Sequence, residues 1–215
     1  MIVALDGPAG AGKSTVARLL ARALGLVFLD TGAMYRAVTL VVLERGLAPE
    51  DARACTGVAR ELHLSFDADG ALRIDGRPGE PAIRGPEVTR NVSIVAAHPA
   101  VREAVVAEQR AIAARGRGVV AEGRDTTTVV FPRADHKFYL DANLDERARR
   151  RALQEGRPER AADLRGELEL RDRLDSSRAH SPLTLAPDAV HIDTDGKTAE
   201  QVVTRILELV RRSER

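Results

Sequence analysis

The chain has 215 residues, of which 44% are hydrophobic and 30% are charged, and its 33 Lys and Arg residues nearly balance 32 Asp and Glu residues. These proportions are typical of a folded protein, and a net charge of +1 argues against general binding to nucleic acid or to a membrane surface. The single cysteine, Cys55, excludes an internal disulfide framework and a thiolate-rich metal cluster. The start has no basic segment and no apolar run could span a bilayer, so we expect a soluble cytoplasmic protein.

The hydrophobic pattern of the first 60 residues predicts strands that alternate with helices. Residues 2–5 form a short apolar run that ends at Asp6-Gly7-Pro8, which is typical of a buried parallel strand. Apolar positions between Val16 and Leu24 then recur at helical spacing until Gly25. The pattern next predicts a strand at 27–29, a helix at 33–45 and a helix with Pro49 in its first turn.

The middle of the chain has a different character. Leucines and isoleucine alternate with polar residues between positions 62 and 74, and the turn signals Asp69-Gly70 and Asp75-Gly76 stand beside these runs. This pattern predicts small antiparallel strands inserted into an α/β chain.

The remainder returns to the alternating pattern. It predicts helices at 86–97, 101–114, 144–154 and 164–174, strands at 119–121, 138–140 and 189–192, and a C-terminal helix through Val202 and Val210. Strands that alternate with helices indicate an α/β fold with a parallel sheet covered by helices on both faces.

A phosphate-binding loop follows the first strand. The segment GPAGAGKS at 7–14 matches G-x-x-x-x-G-K-[ST] between a strand and a helix, as a P-loop requires. The loop's N–H groups and the helix start would bind phosphate, Lys13 would reach the β- and γ-phosphates, and the Ser14 hydroxyl would hold Mg²⁺. The sequence therefore predicts a P-loop fold that binds a nucleoside triphosphate through Gly7, Pro8, Ala9, Gly10, Ala11, Gly12, Lys13, Ser14 and Thr15.

The class of P-loop protein follows from the rest of the chain. No [NT]-K-x-D segment is present, which argues against a GTPase, and a chain of this size suits a small-molecule kinase with an Arg-rich lid. Arg147 and Arg151 stand four residues apart, so both could face ATP at the lid, whereas Arg149 and Arg150 are expected to be solvated.

Seven further segments point to the acceptor of the phosphoryl group. Together with the P-loop, and in the same order along the chain, they resemble the bacterial cytidylate kinases: LDTGAMYR at 29–36, IRGPEV at 83–88, SIVAA at 93–97, VR at 101–102, QR at 109–110, GRDT at 123–126 and RDRLDSSR at 171–178. The resemblance implies that MgATP phosphorylates CMP or dCMP, and that the enzyme is monomeric. It also implies one nucleoside monophosphate kinase domain over 1–215, with a core at 1–60 and 98–215, an acceptor-binding insert at about 61–97 and a short lid at about 150–178.

The resemblance also implies roles for individual residues. Thr31 and Arg36 would bind the acceptor phosphate, with Thr31 alternatively on the base, and Ser93 and Arg102 would contact the cytosine ring. Arg124 would bind acceptor phosphate and Asp125 the pyrimidine or sugar. Arg171 and Arg178 would bind phosphate, Asp175 would bind the ribose hydroxyl, and their spacing predicts one shared helix face. The implied catalytic residues are Lys13, Arg124 and Arg171.

Three positions depart from the family pattern. Thr127 stands where Gly is usual, so we expect the loop after Asp125 to be shaped differently, because a β-branched residue resists a positive φ. Gly85 replaces a hydroxyl residue before Pro86, and His180-Ser181 replaces a small apolar pair.

Several alternatives remain open from the residues. The sequence does not choose among Asp6, Asp30, Glu122 and Asp125 as the carboxylate that organises water around Mg²⁺. An adenylate, uridylate-cytidylate or shikimate kinase is the nearest other enzyme, and a P-loop protein that binds nucleotide for regulation is the alternative of another class.

Overall fold

The computed structural model describes residues 1–67, 70–116 and 118–213. By the contacts among its residues the chain forms two compact units: unit 1 is Met1–Phe28 with Val119–Arg215, and unit 2 is Leu29–Gly118. The insert predicted at about 61–97 lies inside unit 2, which begins earlier and ends later. The separate role of that insert stays a prediction.

The described elements alternate as the sequence predicts. In chain order they are β1 (Ile2–Asp6), α1 (Lys13–Leu24), β2 (Val27–Asp30), α2 (Thr31–Glu44), α3 (Ala52–Glu61), β3 (Leu64–Phe66), β4 (Leu72–Ile74), β5 (Arg77–Pro78), α4 (Pro86–Val95), α5 (Pro99–Ala114), β6 (Val119–Glu122), β7 (His136–Asp141), α6 (Leu144–Gln154), α7 (Ala161–Ser176), β8 (Val190–Asp193) and α8 (Ala199–Ser213).

Unit 1 is built on a parallel sheet. The strand order is β2-β6-β1-β7-β8, and β1 pairs in parallel with β6 on one side and β7 on the other. The central strand β1 is a nearly continuous apolar run because both of its faces are buried. Since the carboxyl ends of parallel strands meet at one edge, the polar residues Asp6 and Glu122 come together there, beside the phosphate-binding loop.

Helices α1 and α8 pack together and bury the main apolar core of unit 1. Val16 and Leu20 of α1 and Ile206 of α8 join the strand residues Leu5 and Phe138 in one cluster. The i, i+4 spacing of Val16 and Leu20 places them on the same face of the helix. This core fixes the start of α1, and with it the phosphate-binding loop, against the sheet.

Unit 2 combines helices with a small antiparallel sheet. Helix α2 packs against α3 and α4, and the second sheet has the order β3-β4-β5. The predicted inserted strands are therefore confirmed. Asp75 and Gly76 both have positive φ, 50° and 78°, which is the geometry of a tight hairpin turn between β4 and β5. Of the other predicted turn, Asp69 lies outside the described residues.

One helix boundary and one shared helix face were predicted wrongly. Helix α3 begins at Ala52 rather than near Pro49, because the Asp51 side chain accepts hydrogen bonds from the backbone N–H groups of Arg53 and Ala54 and caps the helix there. Helix α7 ends at Ser176, so Arg178 does not share its face.

Within the part of the chain that the structure describes, no helix has the length and apolar character needed to cross a membrane.

Candidate active site

The loop GPAGAGKS has the backbone that a phosphate cradle requires. Gly7 has a φ of 146°, and a Cβ there would lie 1.9 Å from the backbone oxygen of Leu140. Gly10 has a φ of 81°, and its Cβ would meet the Cβ of Arg147 at 3.0 Å. Both positions therefore need glycine. Gly12 caps α1 without a side chain, which leaves the positive end of the helix to an anion.

Lys13 is buried at the start of α1. Its Nζ donates a hydrogen bond of 2.8 Å to the Pro8 carbonyl oxygen, so the side chain folds back over the loop. Burial and, next, the positive charge of Arg124 lower the pKa of Lys13 to about 7, although the negative charge of Glu122 opposes the shift. The lowered pKa shows that the negative charge around the buried ammonium group is not enough to stabilise it. A bound phosphate would supply that negative charge.

Ser14 and Glu122 form an oxygen pair beside Lys13. The Ser14 hydroxyl donates a hydrogen bond of 2.5 Å to Oε1 of Glu122, which is buried at the end of β6. Hydroxyl and carboxylate oxygens are ligands that suit Mg²⁺, which usually takes few protein ligands and completes its shell with water and phosphate. The described residues contain no group of three or more His, Cys, Asp and Glu side chains that could hold a metal without a nucleotide.

Three arginines surround one buried carboxylate in unit 1. Asp175 is 1% exposed; Nε of Arg124 lies 2.8 Å from its Oδ2, a guanidinium nitrogen of Arg178 lies 2.5 Å from its Oδ1, and Nε of Arg171 lies 3.9 Å from Oδ2. Burial alone would raise the pKa of Asp175, but the charges of Arg124, Arg178 and Arg171 hold it below its usual value. We call Arg124, Arg171, Asp175 and Arg178 the arginine cluster.

The arginine cluster has more positive charge than its carboxylate balances. Burial and, next, repulsion by Arg124 lower the pKa of Arg171 to about 10. For Arg124, burial alone would lower the pKa, but Asp175, Glu122 and Asp172 together raise it above its usual value. The Nε atom of Arg171 is buried without a hydrogen-bond partner. A fixed excess of guanidinium groups with an unsatisfied donor is suited to a phosphate.

The Arg-rich helix α6 contacts the phosphate-binding loop. Arg147 is buried, donates 3.0 Å hydrogen bonds to the carbonyl oxygens of Ala9 and Ala142, and pairs with Asp172. Asp172 also accepts a 3.3 Å hydrogen bond from the Ala9 N–H group. One Arg–Asp pair from α6 and α7 therefore holds both polar groups of a loop residue, which the sequence did not indicate.

The other arginines of α6 differ in exposure. Arg149 is exposed and pairs with Glu146, as expected, and Arg151 pairs with Glu155. The prediction that Arg150 is solvated is wrong: its side chain is only 22% exposed and donates to the carbonyl oxygen of Thr194 at 2.6 Å. Arg150 could not be distinguished from Arg149 by sequence, because Thr194 is 44 residues away.

The loop after β6 shows how unit 1 accommodates Thr127. Positive φ among described residues other than glycine occurs only at Asp75 and Ser181, so Thr127 does not adopt it. Instead Thr126 and Thr127 begin a π-helical turn, Thr126–Val130, and donate hydrogen bonds to Asp6. The sequence did not reveal these hydrogen bonds to Asp6, and a loop shape that differs from the family pattern stays a prediction. Asp125, before the turn, is buried.

The predicted acceptor residues of unit 2 lie on three helices. Thr31 is the first residue of α2, and its neighbour Asp30 rather than Thr31 caps the helix by accepting from Ala33 at 2.8 Å. Ser93 lies on α4, and Arg102 of α5 is buried with its guanidinium 5.0 Å from the centre of the Tyr35 ring.

Arg36 has a structural environment within unit 2. It is buried and donates to the Ile83 carbonyl oxygen at 3.0 Å and to the Thr89 hydroxyl at 2.9 Å. Arg84 of this region is exposed, and its guanidinium lies 2.8 Å from Asp30. Asp30 is thus engaged as a helix cap and in an ion pair, and the role of Arg36 toward phosphate stays a prediction.

Comparison with known proteins places the chain in a family. The family model described as cytidylate kinase matches residues 3–212. A cytidylate kinase of Caldanaerobacter subterraneus subsp. tengcongensis is 45% identical over 214 residues, which are 98% of this chain and 95% of that protein. A bifunctional pantoate ligase/cytidylate kinase of Synechococcus sp. (strain CC9902) is 48% identical over 219 residues, and the chain spans only 45% of its length.

Among solved structures, a shikimate kinase from Acinetobacter baumannii in complex with shikimate aligns with 98% of this chain and 93% of its own, at 20% identity and a TM-score of 0.46. A likeness that weak assigns no activity. The family model and the full-length relative each cover nearly the whole chain. The chain therefore belongs to the cytidylate kinase family.

Proposed function

We propose that this protein transfers the γ-phosphoryl group of ATP to CMP or dCMP, giving ADP and CDP or dCDP. The observation that carries the proposal is that unit 1 contains both the buried Lys13 of the phosphate-binding loop and the arginine cluster around Asp175. Phosphoryl transfer depends mostly on positioning and on neutralising charge, which are the two functions that such a group supplies.

The reaction needs no general base. A phosphate oxygen of CMP is already ionised, so it attacks the γ-phosphorus directly; the bond from that phosphorus to the β–γ bridging oxygen breaks, and its electron pair stays on ADP. Lys13 stabilises the charge on the β- and γ-phosphates, and Arg124 and Arg171 stabilise the charge of the transferring group. Binding would also return Lys13 to its charged form, because the phosphate supplies the missing negative charge.

For Mg²⁺ we propose Ser14 and Glu122 as the residues that hold the ion, Ser14 directly and Glu122 by way of water. The 2.5 Å hydrogen bond between them fits this assignment, and Asp6 and Asp30 are occupied by other partners. When bound, Mg²⁺ supplies positive charge to the phosphate oxygens. Glu122 keeps the Ser14 hydroxyl oriented toward the loop.

The remaining assignments carry over from the family and stay proposals. For ATP they are the loop residues through Thr15 with Arg147 and Arg151, and the contacts of Arg147 with Ala9 support a role in holding the loop. For the acceptor they are Thr31, Arg36, Ser93, Arg102, Arg124, Asp125, Arg171, Asp175 and Arg178. A monomer in the cytoplasm, with no nucleic-acid partner, is likewise a prediction from the sequence.

The test is ADP release by the purified protein with MgATP and one of five acceptors: CMP, dCMP, UMP, AMP or shikimate. We expect turnover with CMP and dCMP well above the others, and its loss in Lys13→Ala. Lys197→Ala is the matched control, since Lys197 is exposed. Turnover only with another acceptor would contradict the proposed substrate, and ATP binding without any turnover would favour a regulatory protein.

A further inference from the structure

Both oxygens of the Asp6 carboxylate accept hydrogen bonds from a single turn of the chain. It is 0% exposed. Its Oδ1 accepts hydrogen bonds from the Thr126 N–H group at 2.8 Å and the Thr126 hydroxyl at 2.7 Å. Its Oδ2 accepts from the Thr127 N–H group at 2.7 Å and the Thr127 hydroxyl at 2.6 Å. We call this arrangement the threonine clamp.

The threonine clamp leaves Asp6 no capacity for chemistry. A carboxylate offers about four acceptor sites, and four donors at short distances occupy them. Asp6 therefore has no acceptor site left for the water of a metal ion. A buried charge needs this compensation, because a buried carboxylate that loses a donor bears a desolvation cost.

The threonine clamp joins two functional segments of unit 1. On one side, Asp6 is the last residue of β1, and Gly7 of the phosphate-binding loop follows it directly. On the other side, Thr126 follows Arg124 and Asp125, and the turn is closed by hydrogen bonds from Val130 to the Asp125 carbonyl oxygen at 3.1 Å and from Phe131 to that of Thr126 at 2.9 Å. A displacement of the turn would move Arg124 relative to Lys13.

We propose that Thr126 and Thr127 are positioning residues for phosphoryl transfer, whose bonds to Asp6 hold the Arg124–Asp125 segment in register with the phosphate-binding loop. This inference rests on the proposed function, because it concerns the rate of that reaction. No nucleotide contact is proposed for either threonine. Their hydroxyls act through Asp6, and so removing one hydroxyl disturbs the transfer step rather than ATP binding.

The test compares variants at two neighbouring threonines. Thr127→Val removes the hydroxyl with little change in shape, and Thr127→Ser restores it. Thr128→Val is the matched control, since among the described residues the half-buried Thr128 bonds to the Asp125 carbonyl oxygen of its own turn, at 3.5 Å, and not to Asp6. The measurements are kcat and KM for CMP, the Kd of ATP and the Tm.

We expect Thr127→Val to lower kcat by about 10- to 100-fold, the loss that a misplacement of about 1 Å brings, with the Kd of ATP almost unchanged. Thr127→Ser should recover most of kcat, and Thr128→Val should behave as the parent protein. An unchanged kcat, or a loss of ATP binding in proportion to kcat, would overturn the proposal. If Thr127→Val does not fold, Thr127→Ala is judged by the same criteria.

A second readout separates this inference from the proposed function. Hydrogen exchange of residues 124–131 is expected to quicken in Thr127→Val and not in Thr128→Val, whether or not CMP is the acceptor. If the parent protein does not phosphorylate CMP, the proposed function is refuted. The threonine clamp is then tested by hydrogen exchange and by the kcat for the acceptor that the protein does use. Equal exchange in both variants would overturn the threonine clamp itself.

Discussion

Asp175→Asn tests whether the arginine cluster depends on its central carboxylate. The substitution keeps the shape of the side chain and removes its charge, which leaves Arg124, Arg171 and Arg178 in mutual repulsion. Arg124 and Arg178 each make a close ion pair with a carboxylate that is 1% exposed, so neither pair is screened by water.

The size of the effect follows from these distances. Two opposite unit charges about 4 Å apart attract each other by roughly 4 kcal/mol at an effective dielectric constant of 20, before the cost of desolvation is subtracted. Measured losses for removing one partner of a buried pair are about 3–5 kcal/mol. For a chain of this size, each kcal/mol lowers Tm by about 2–4 °C, so we expect a fall of about 6–20 °C.

The assay is thermal unfolding followed by circular dichroism, with and without sulfate. Sulfate should stabilise Asp175→Asn more than the parent protein, because the anion balances the positive charge of the arginines that the lost carboxylate no longer balances. Glu208→Gln is the control, since Glu208 and Arg205 pair with both side chains about half exposed and such pairs contribute little. A Tm within 2 °C of the parent protein, or an equal response of both proteins to sulfate, would refute the reasoning.

Two further predictions concern the phosphate-binding loop. Because the pKa of Lys13 is lowered to about 7 and a phosphate raises it, ATP binding should take up a proton above pH 7, and affinity should fall by up to tenfold per pH unit there. Calorimetry at pH 8 in two buffers of different ionisation enthalpy measures the uptake, and Lys13→Ala should abolish it; equal apparent enthalpies in the parent protein would contradict the prediction. Gly10→Ala should destabilise the protein by about 1–3 kcal/mol in chemical unfolding, since it forces a left-handed backbone and a close contact with Arg147. Gly166→Ala, in a helix with open space around it, should instead stabilise by about 0.5–1 kcal/mol, and the same sign for both would refute the argument.

The sequence predicts most of the fold because the signals are local. The apolar run before Gly7, the helical spacing after Lys13 and the glycine at position 25 specify β1, the loop and α1 without reference to distant residues. The boundary near Pro49 was wrong because a capping carboxylate at Asp51 decides where the helix begins.

The site is predicted less completely, because its contacts join residues far apart in the chain. The Arg171–Asp175 spacing indicates a helix face, but a helix that ends at Ser176 leaves Arg178 to reach Asp175 from beyond it. The pairing of Asp6 with Thr126 and Thr127 spans 120 residues, and no local pattern marks it. One signal was available: a run of three threonines directly after Asp125, a predicted ligand-binding residue.

The central claim is that the arginine cluster stabilises phosphoryl transfer to CMP. The most direct test follows the label from γ-labelled ATP with CMP, for the parent protein and for Arg171→Ala. We predict label in CDP with the parent protein, and a rate about 100- to 1,000-fold lower in the variant with ATP affinity preserved. Label released only as inorganic phosphate by the parent protein, or an unimpaired Arg171→Ala, would contradict the account.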